Sequence, residues 1–228
     1  MTLSKCEGRC MKELNGPIIA PKSGKARQLV IFLHGYGSNG SDLISIGEEW
    51  APGLPDTAFV SPNAPDPCDE WPIGYQWFSI RAIDRDAIER GRQIENVAPV
   101  LNGFIDQQLE KWNVTEDRLA VVGFSQGAMM AMYTMPRRRN PCAAVIGYSG
   151  MLINAEGLRE KGIVKPRILA IHGDADDVVP PSCLYGVNEG FEAAGFNVET
   201  IMRPGLEHGI DQFGLRYGME FLQKAFDT

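Results

Sequence analysis

Histidine is scarce in this chain, and long apolar runs are missing. Only 3 of its 228 residues are histidine. No stretch approaches the roughly 20 consecutive apolar residues that a membrane-spanning helix needs. The N-terminal residues carry charges throughout and have no apolar central segment, so they do not resemble a secretory signal. We therefore expect no integral membrane segment.

Clustered cysteines are also missing. The 5 cysteines are an odd number and are widely scattered, which argues against a disulfide framework. Cys6 and Cys10 lack the nearby histidine or further cysteine that a zinc site requires. The cysteine pattern therefore predicts a reducing, cytoplasmic setting and no metal site.

Positive charge is in deficit, with a formal net charge of −7. Nucleic acids and anionic membrane surfaces are bound by net or clustered positive charge, so we expect neither as a partner. The basic run at 137–139 follows Pro136 at a predicted helix end. We interpret it as a solvated loop.

The length of 228 residues and the hydrophobic content of 44% suit one α/β domain with a sizeable core. We expect a flexible N-terminal segment over 1–16 and a single domain over 17–228. Short apolar runs alternate with helical patterns, which predicts a mostly parallel sheet with helices on both faces. Predicted strands are 17–20 (an edge strand), 28–33, 58–60, 118–122, 143–148, 166–171 and 197–202. Predicted helices are 43–50, 84–112 (with a kink at Pro99 or a restart near Ala98), 128–135, 182–195 and one ending at 226.

The chain is organised around the five residues 123–127, Gly-Phe-Ser-Gln-Gly. They connect a buried strand to a helix, and a serine between two glycines at such a junction is typical of a nucleophile elbow. The tight turn would present the Ser125 hydroxyl at the carboxyl end of the sheet. The Gln126 N–H would begin the helix beside it. The alternative is a Gly-Ser turn that only packs a helix on a sheet.

A second stretch, His34-Gly35-Tyr36-Gly37, follows the predicted central strand. A glycine-rich loop lets main-chain N–H groups approach a ligand closely. In proteins with a nucleophile elbow, such a loop supplies the second N–H donor of the oxyanion hole. We therefore assign these donors to the N–H groups of Tyr36 and Gln126. His34 competes for the role of catalytic base, but we favour a role in fixing the loop.

A third stretch, 172–180, contains a strand end, three aspartates and an apolar anchor. A loop of this composition can present a carboxylate to a histidine. The residues alone leave Asp174, Asp176 and Asp177 as alternatives for that role. His208 lies in a glycine-flanked loop after the last strand. The order serine, aspartate, histidine matches the triad order of this fold. The alternative for His208 is an exposed loop histidine.

Several aromatic residues lie in the irregular stretch 65–83. We expect Trp71, Trp77 and Phe78 to form an apolar substrate wall. Two alternatives are open: the aromatics cover one end of the sheet, or the loop forms a contact between two copies of the chain.

The chain resembles the phospholipase/carboxylesterase family of α/β-hydrolases, which includes acyl-protein thioesterases. The shared landmarks run from about Pro17 to Phe226 and are Leu33-His34-Gly35-Tyr36-Gly37, Pro62-Asn63-Ala64-Pro65, Gly123-Phe124-Ser125-Gln126-Gly127, His172-Gly173-Asp174-Ala175-Asp176 and Gly205-Leu206-Glu207-His208. The resemblance implies an α/β-hydrolase fold without a large cap domain. It also implies Ser125 as nucleophile, Asp176 as acid and His208 as base. The family usually has proline where this chain has Asp177.

The resemblance implies a carboxylesterase, acyl thioesterase or lysophospholipase that needs no cofactor. Its substrate would be a small ester or thioester with an apolar acyl group. A serine peptidase on the same fold and a non-catalytic ligand-binding module are the alternatives.

Overall fold

The computed structural model describes residues 13–71, 73–80 and 87–227. The strands are β1 (Ile18–Ile19), β2 (Gln28–Leu33), β3 (Thr57–Val60), β4 (Asp66–Pro67), β5 (Tyr75–Gln76), β6 (Leu119–Phe124), β7 (Ala144–Tyr148), β8 (Arg167–Gly173) and β9 (Val198–Arg203). The helices are α1 (Gly40–Trp50), α2 (Ala87–Trp112), α3 (Gln126–Thr134), α4 (Ser182–Ala193) and α5 (Gln212–Phe226).

Seven strands form one sheet in the order β1-β3-β2-β6-β7-β8-β9, and β4 pairs with β5 in a separate hairpin. The two-residue β1 is antiparallel to β3 at one edge, and the pairs from β3 through to β9 are parallel. Because parallel strands end at the same edge of a sheet, the loops after β2, β6 and β8 meet there. These loops contain the three stretches that the sequence singled out.

Both faces of the sheet are covered by helices. In β2, Leu29, Ile31 and Leu33 pack with α2, α3 and α4, whereas Val30 and Phe32 pack with α1 and α5. A strand that alternates between two buried faces has no polar side, which explains its continuous apolar sequence. The fold is the predicted α/β-hydrolase fold.

Pro99 does not interrupt its helix. Helix α2 runs continuously over 26 residues with Pro99 inside it. The predicted restart at residue 98 is therefore wrong. Packing of Ile94, Leu101 and Ile105 into the core stabilises the helix on both sides of the proline. Residues 84–86, where the predicted helix begins, lie outside the described residues.

Arg138 is not solvated, contrary to the prediction for the basic run. Its side chain is only 7% exposed and pairs with Glu116 and with Asp106. Its guanidinium also donates to the Asn102 side chain over 2.8 Å. These partners are distant in sequence, so the residues next to Arg138 do not reveal them.

The body of the fold begins before the predicted boundary at residue 16. Leu14 is buried in the core, and the Asn15 carbonyl accepts a 2.7 Å hydrogen bond from the Asn63 N–H. These contacts attach residues 14–16 to the body of the fold, and the single domain over 17–228 stays a prediction. Residues 1–12, including Cys6 and Cys10, lie outside the described residues. No helix within the described ranges is long and apolar enough to cross a bilayer.

Candidate active site

Ser125 occupies a strained turn between β6 and α3. Its φ of 52° and ψ of −116° lie outside the regions that side-chain-bearing residues normally adopt. Its N–H donates to the Tyr148 carbonyl over 2.9 Å, and its carbonyl accepts from the Met129 N–H over 3.1 Å. These bonds tie the turn to both the next strand and the following helix, so the serine is held at the carboxyl edge of the sheet.

The glycines on either side make this turn possible. A Cβ at Gly123 would overlap the Gly127 carbonyl, and a Cβ at Gly127 would overlap the Leu33 carbonyl. Helix α3 can therefore approach β2 and β6 only with glycine at both positions. This is the backbone reason for the Gly-x-Ser-x-Gly spacing.

The loop after β2 lies against the elbow. A Cβ at Gly35 would be 3.4 Å from the Ser125 Cβ, so the two turns are in near contact. The N–H of Gln126 is in the first turn of α3, where helix N–H groups have no partner within the helix. Among the described residues, the Gln126 and Tyr36 N–H groups take part in none of the main-chain hydrogen bonds that hold these loops.

His34 fixes this loop from the inside. It is fully buried, and its Nε2 accepts a hydrogen bond from the Ala64 N–H over 2.9 Å. Its Nδ1 therefore carries the proton and donates to the Gly35 carbonyl over 2.7 Å. Burial lowers the pKa of His34, although the Gly35 carbonyl and Asp42 act in the opposite direction. Both ring nitrogens are engaged, which agrees with the loop-fixing role.

Asp176 is the aspartate that meets His208. Its Oδ2 lies 2.8 Å from the Nδ1 of His208, and its side chain is fully buried. Its Oδ1 accepts from the N–H groups of Val178, over 2.9 Å, and Val179, over 2.8 Å. A carboxylate is an acceptor only, so the His208 Nδ1 carries the proton and Nε2 is left as the basic nitrogen.

The charge on Asp176 is stabilised despite its burial. Burial raises the pKa of this carboxyl group, but the hydrogen bonds from His208, Val179 and Val178 outweigh it and lower the pKa below its usual value. The carboxylate therefore remains ionised beside the imidazole.

The two other aspartates of the acid loop have different surroundings. Asp177 is exposed to solvent. Asp174 accepts a hydrogen bond from the Gly205 N–H over 2.6 Å and so supports the loop that carries His208. Of these three aspartates, Asp176 is the one whose side chain turns inward to His208.

His208 is held over the elbow by its neighbours. Its ring lies 4.9 Å, centroid to centroid, from the ring of Phe124, the residue before Ser125. The next residue, Gly209, accepts a 3.4 Å hydrogen bond from the Ser149 hydroxyl through its carbonyl. The loop therefore contacts the ends of β6, β7 and β8 together.

Two side chains of the site, His172 and Gln126, make contacts that had no counterpart in the sequence analysis. The Nε2 of His172 lies 3.1 Å from the Oδ2 of Asp176. The Gln126 side chain accepts from the Trp77 N–H over 2.8 Å and donates to the Phe78 carbonyl over 2.6 Å. His172 precedes Asp176 by four residues in the same motif, and this spacing is the signal that could have pointed to it.

Trp77 and Phe78 do not line an accessible surface. Both are buried in the core, and the Trp77 indole N–H donates to the His34 carbonyl over 3.0 Å. They cover the end of the sheet, which is the alternative that the sequence left open, and the predicted substrate wall must be corrected accordingly.

Trp71 is the one predicted wall residue that reaches solvent, with 62% of its surface exposed. Its ring packs on Gly37, where an added Cβ would be 2.9 Å from the Trp71 Cδ1. The hairpin that contains it is joined to the same loop, because the Gly37 N–H donates to the Tyr75 carbonyl over 2.9 Å. Trp71 therefore lies beside the loop of Tyr36.

No three histidine, cysteine, aspartate or glutamate side chains of the described residues are grouped so that they could hold a metal ion. The described cysteines Cys68, Cys142 and Cys183 are free thiols. The chemistry available at the edge of the sheet is thus that of a hydroxyl, an imidazole, a carboxylate and main-chain N–H groups.

Comparison with known proteins defines the class. Residues 14–226 match the model of the phospholipase/carboxylesterase family, and the chain belongs to that family. The protein is an esterase-type hydrolase that acts on ester or thioester bonds. The family confirms the resemblance that the sequence motifs indicated.

The chain is similar to individual esterases and thioesterases of this family. The chain is 28% identical to esterase YpfH of Escherichia coli (strain K12) over 198 residues, which cover 87% of this chain and 83% of that protein. It is 29% identical to acyl-protein thioesterase 1 of Neurospora crassa over 209 residues, 84% of each chain. Among solved structures, esterase PE8 superimposes with a TM-score of 0.89 at 39% identity and covers 93% of this chain and 99% of its own. SOBER1 of Arabidopsis thaliana, at 20% identity and a TM-score of 0.77 over 88% of this chain and 99% of its own, shares the fold.

Proposed function

We propose that the protein hydrolyses carboxylic esters or thioesters through an acyl-enzyme on Ser125. His208 Nε2 takes the proton of the Ser125 hydroxyl as the oxygen attacks the carbonyl carbon. The tetrahedral intermediate then collapses, and the imidazolium gives its proton to the leaving alcohol or thiol. Water attacks the acyl-enzyme by the same route in reverse, which releases the acid and restores the serine.

The N–H groups of Tyr36 and Gln126 stabilise the negative charge that develops on the carbonyl oxygen. The near contact between the loop of Gly35 and the Ser125 Cβ supports this assignment. Losing one such donor typically costs about 3 kcal/mol of transition-state stabilisation. Because both groups are main-chain donors, a side-chain substitution removes neither of them directly.

Asp176 holds His208 in the tautomer that leaves Nε2 free and stabilises the imidazolium. The 2.8 Å contact between Asp176 Oδ2 and His208 Nδ1 is the observation that carries the proposal. Burying the carboxylate and straining the serine backbone both lower the stability of the fold. Such a cost is expected where the residues serve catalysis.

The exposed aromatic residue beside the loop of Tyr36 bears on the chemistry of the substrate. We propose a small ester or thioester with an apolar acyl group, and Trp71 is the exposed aromatic available to contact it. Hydrolysis of matched oxygen and sulfur esters with graded acyl lengths tests this. We expect kcat/KM to rise with acyl length over the shorter esters and to fall in Trp71→Ala. Equal rates for all lengths in both proteins would contradict an apolar contact.

The alternatives have less support. A peptidase is disfavoured by relatives named esterase and thioesterase, and a peptide panel in the same assay would reveal it. A non-catalytic module would have no need for a serine held at a φ of 52°. The free thiols of Cys68, Cys142 and Cys183 support the predicted cytoplasmic setting. A homodimer stays a prediction that light scattering in solution can test.

A further inference from the structure

His172 is a second buried imidazole next to the triad acid. It is the sixth of the seven residues of β8, and it is 1% exposed. Burying a histidine removes its polar nitrogens from water, which is costly unless they find partners. The question is therefore what this side chain binds.

Its Nε2 faces two acceptors. The Val179 carbonyl oxygen lies 2.9 Å away, and the Oδ2 of Asp176 lies 3.1 Å away. Neither atom can donate a hydrogen bond while Asp176 is ionised, so the Nε2 must carry a proton. The hydrogen bond goes to the Val179 carbonyl, and the Asp176 carboxylate lies close beside it.

The same carboxylate oxygen also binds the catalytic base. Oδ2 accepts from His208 Nδ1 over 2.8 Å, while Oδ1 accepts from the N–H groups of Val178 and Val179. The carboxylate thus has donors on both oxygens, and the imidazoles of His172, on β8, and His208, in the loop after β9, both lie near Oδ2. Rotation of the carboxylate would break bonds on both sides.

We propose that His172 is a positioning residue for this reaction: its Nε2–H holds the Val179 carbonyl and so fixes the turn whose N–H groups hold Asp176 with Oδ2 facing His208. The proposal rests on the proposed function, because it assigns His172 a role only through Asp176 and His208. His172 does not touch the substrate. Without its donor, the carboxylate keeps His208 at Oδ2, but the Val179 carbonyl loses its partner and the turn that holds Oδ1 is less firmly fixed.

Two substitutions separate the donor from the packing. In His172→Gln the side-chain nitrogen is as many bonds from Cβ as the histidine Nε2, so a donor can reach the Val179 carbonyl. His172→Leu keeps an apolar volume and removes the donor. We expect kcat of the leucine variant to fall about tenfold to hundredfold, the range seen when an outer partner of a site residue is removed. KM should change less than about twofold, and the glutamine variant should recover most of the lost kcat.

Ile168→Ala is the matched control for stability. Ile168 is a fully buried residue of the same strand and packs in the core next to α2, α3 and α4, away from the acid loop. If the leucine variant loses activity only because β8 is weakened, the control should lose activity at a similar loss of thermal stability. If the leucine variant does not fold, His172→Asn replaces it, because its amide ends one bond short of Nε2.

Nitrogen-15 NMR of the unmodified enzyme gives a test that needs no substitution. We expect the Nε2 of His172 to show the shift of a protonated ring nitrogen with a slowly exchanging proton. An unprotonated Nε2 would overturn the proposal, as would a leucine variant with wild-type kcat. A glutamine variant as impaired as the leucine variant would also contradict it.

The two hypotheses fail in different ways. If the unmodified enzyme hydrolyses no ester and Ser125 does not react with a fluorophosphonate, the proposed function fails. If Ser125 reacts and the enzyme is active, but kcat does not follow the donor at position 172, only the role of His172 fails.

Discussion

The carboxylate of Asp174 accepts a hydrogen bond from the main-chain N–H of Gly205 over 2.6 Å. The Asp174 N–H donates in turn to the Arg203 carbonyl over 3.0 Å, and the Ala175 N–H donates to the Leu206 carbonyl over 3.1 Å. The acid loop and the loop of His208 are therefore joined at several points. These bonds fix the positions of the two loops that carry Asp176 and His208 relative to each other.

Removing the Asp174 carboxylate should make His208 a less effective base, although His208 itself is still present. We predict that Asp174→Ala lowers kcat about tenfold, because the Gly205 turn loses its side-chain partner and His208 samples more positions. Asp174→Asn keeps an acceptor oxygen and should retain most of the activity. Steady-state kinetics of both variants on one ester check this. An unchanged kcat in the alanine variant would show that the main-chain bonds suffice.

The choice of acid can be tested by a pair of amide substitutions. We predict that Asp176→Asn lowers kcat by about 10³ to 10⁴, because an amide can hold His208 in the wrong tautomer. Asp177→Asn removes an exposed charge and should stay within about twofold of the unmodified enzyme. Circular dichroism of both variants controls for folding. Equal losses, or a larger loss in Asp177→Asn, would refute the assignment of Asp176.

His34 should make stability depend on pH. Its folded-state pKa is lowered by burial, whereas in the unfolded chain it titrates near about 6.5. Below that pH the unfolded chain binds a proton that the folded protein does not. The free energy of unfolding should therefore fall as the pH drops from about 6.5 to the lowered pKa, by up to about 1.4 kcal/mol per pH unit.

His34→Asn is the variant that isolates this effect. The asparagine amide can still donate to the Gly35 carbonyl but does not titrate, and it leaves the Ala64 N–H without its partner. We expect the variant to lose about 1 to 3 kcal/mol at pH 8 and to show a flatter decline below pH 6.5. Urea unfolding at several pH values measures both quantities. A parallel decline in the two proteins would assign the pH dependence to other groups.

Much of the fold was predictable because the strands are apolar on both faces. The central strand has the predicted bounds, 28–33, since a continuous apolar run of that length suits a strand buried between two helical layers. The elbow was predictable for a similar local reason. Its two glycines and its serine lie within five residues, so the pattern is recognisable locally, although the Leu33 carbonyl that excludes a Cβ at Gly127 is distant in sequence.

Features that depend on distant partners could not be predicted. Trp77 and Phe78 suggested a substrate wall, yet they are buried because the amide of Gln126, 48 or 49 residues away, satisfies their main chain. Arg138 suggested a solvated loop, but its partner Asn102 lies 36 residues earlier. The residues alone left three aspartates of one loop as alternatives, and the family resemblance pointed to Asp176. That its side chain turns inward is visible only in the fold of the loop.

The most direct measurement is the mass of the intact protein after reaction with a fluorophosphonate, followed by mapping of the modified peptide. We predict one adduct per chain, located on Ser125, with the same reagent leaving Ser125→Ala unmodified. His208→Ala should react far more slowly, because the hydroxyl then has no base. No adduct on the unmodified protein, or an adduct that persists in Ser125→Ala, would contradict the account.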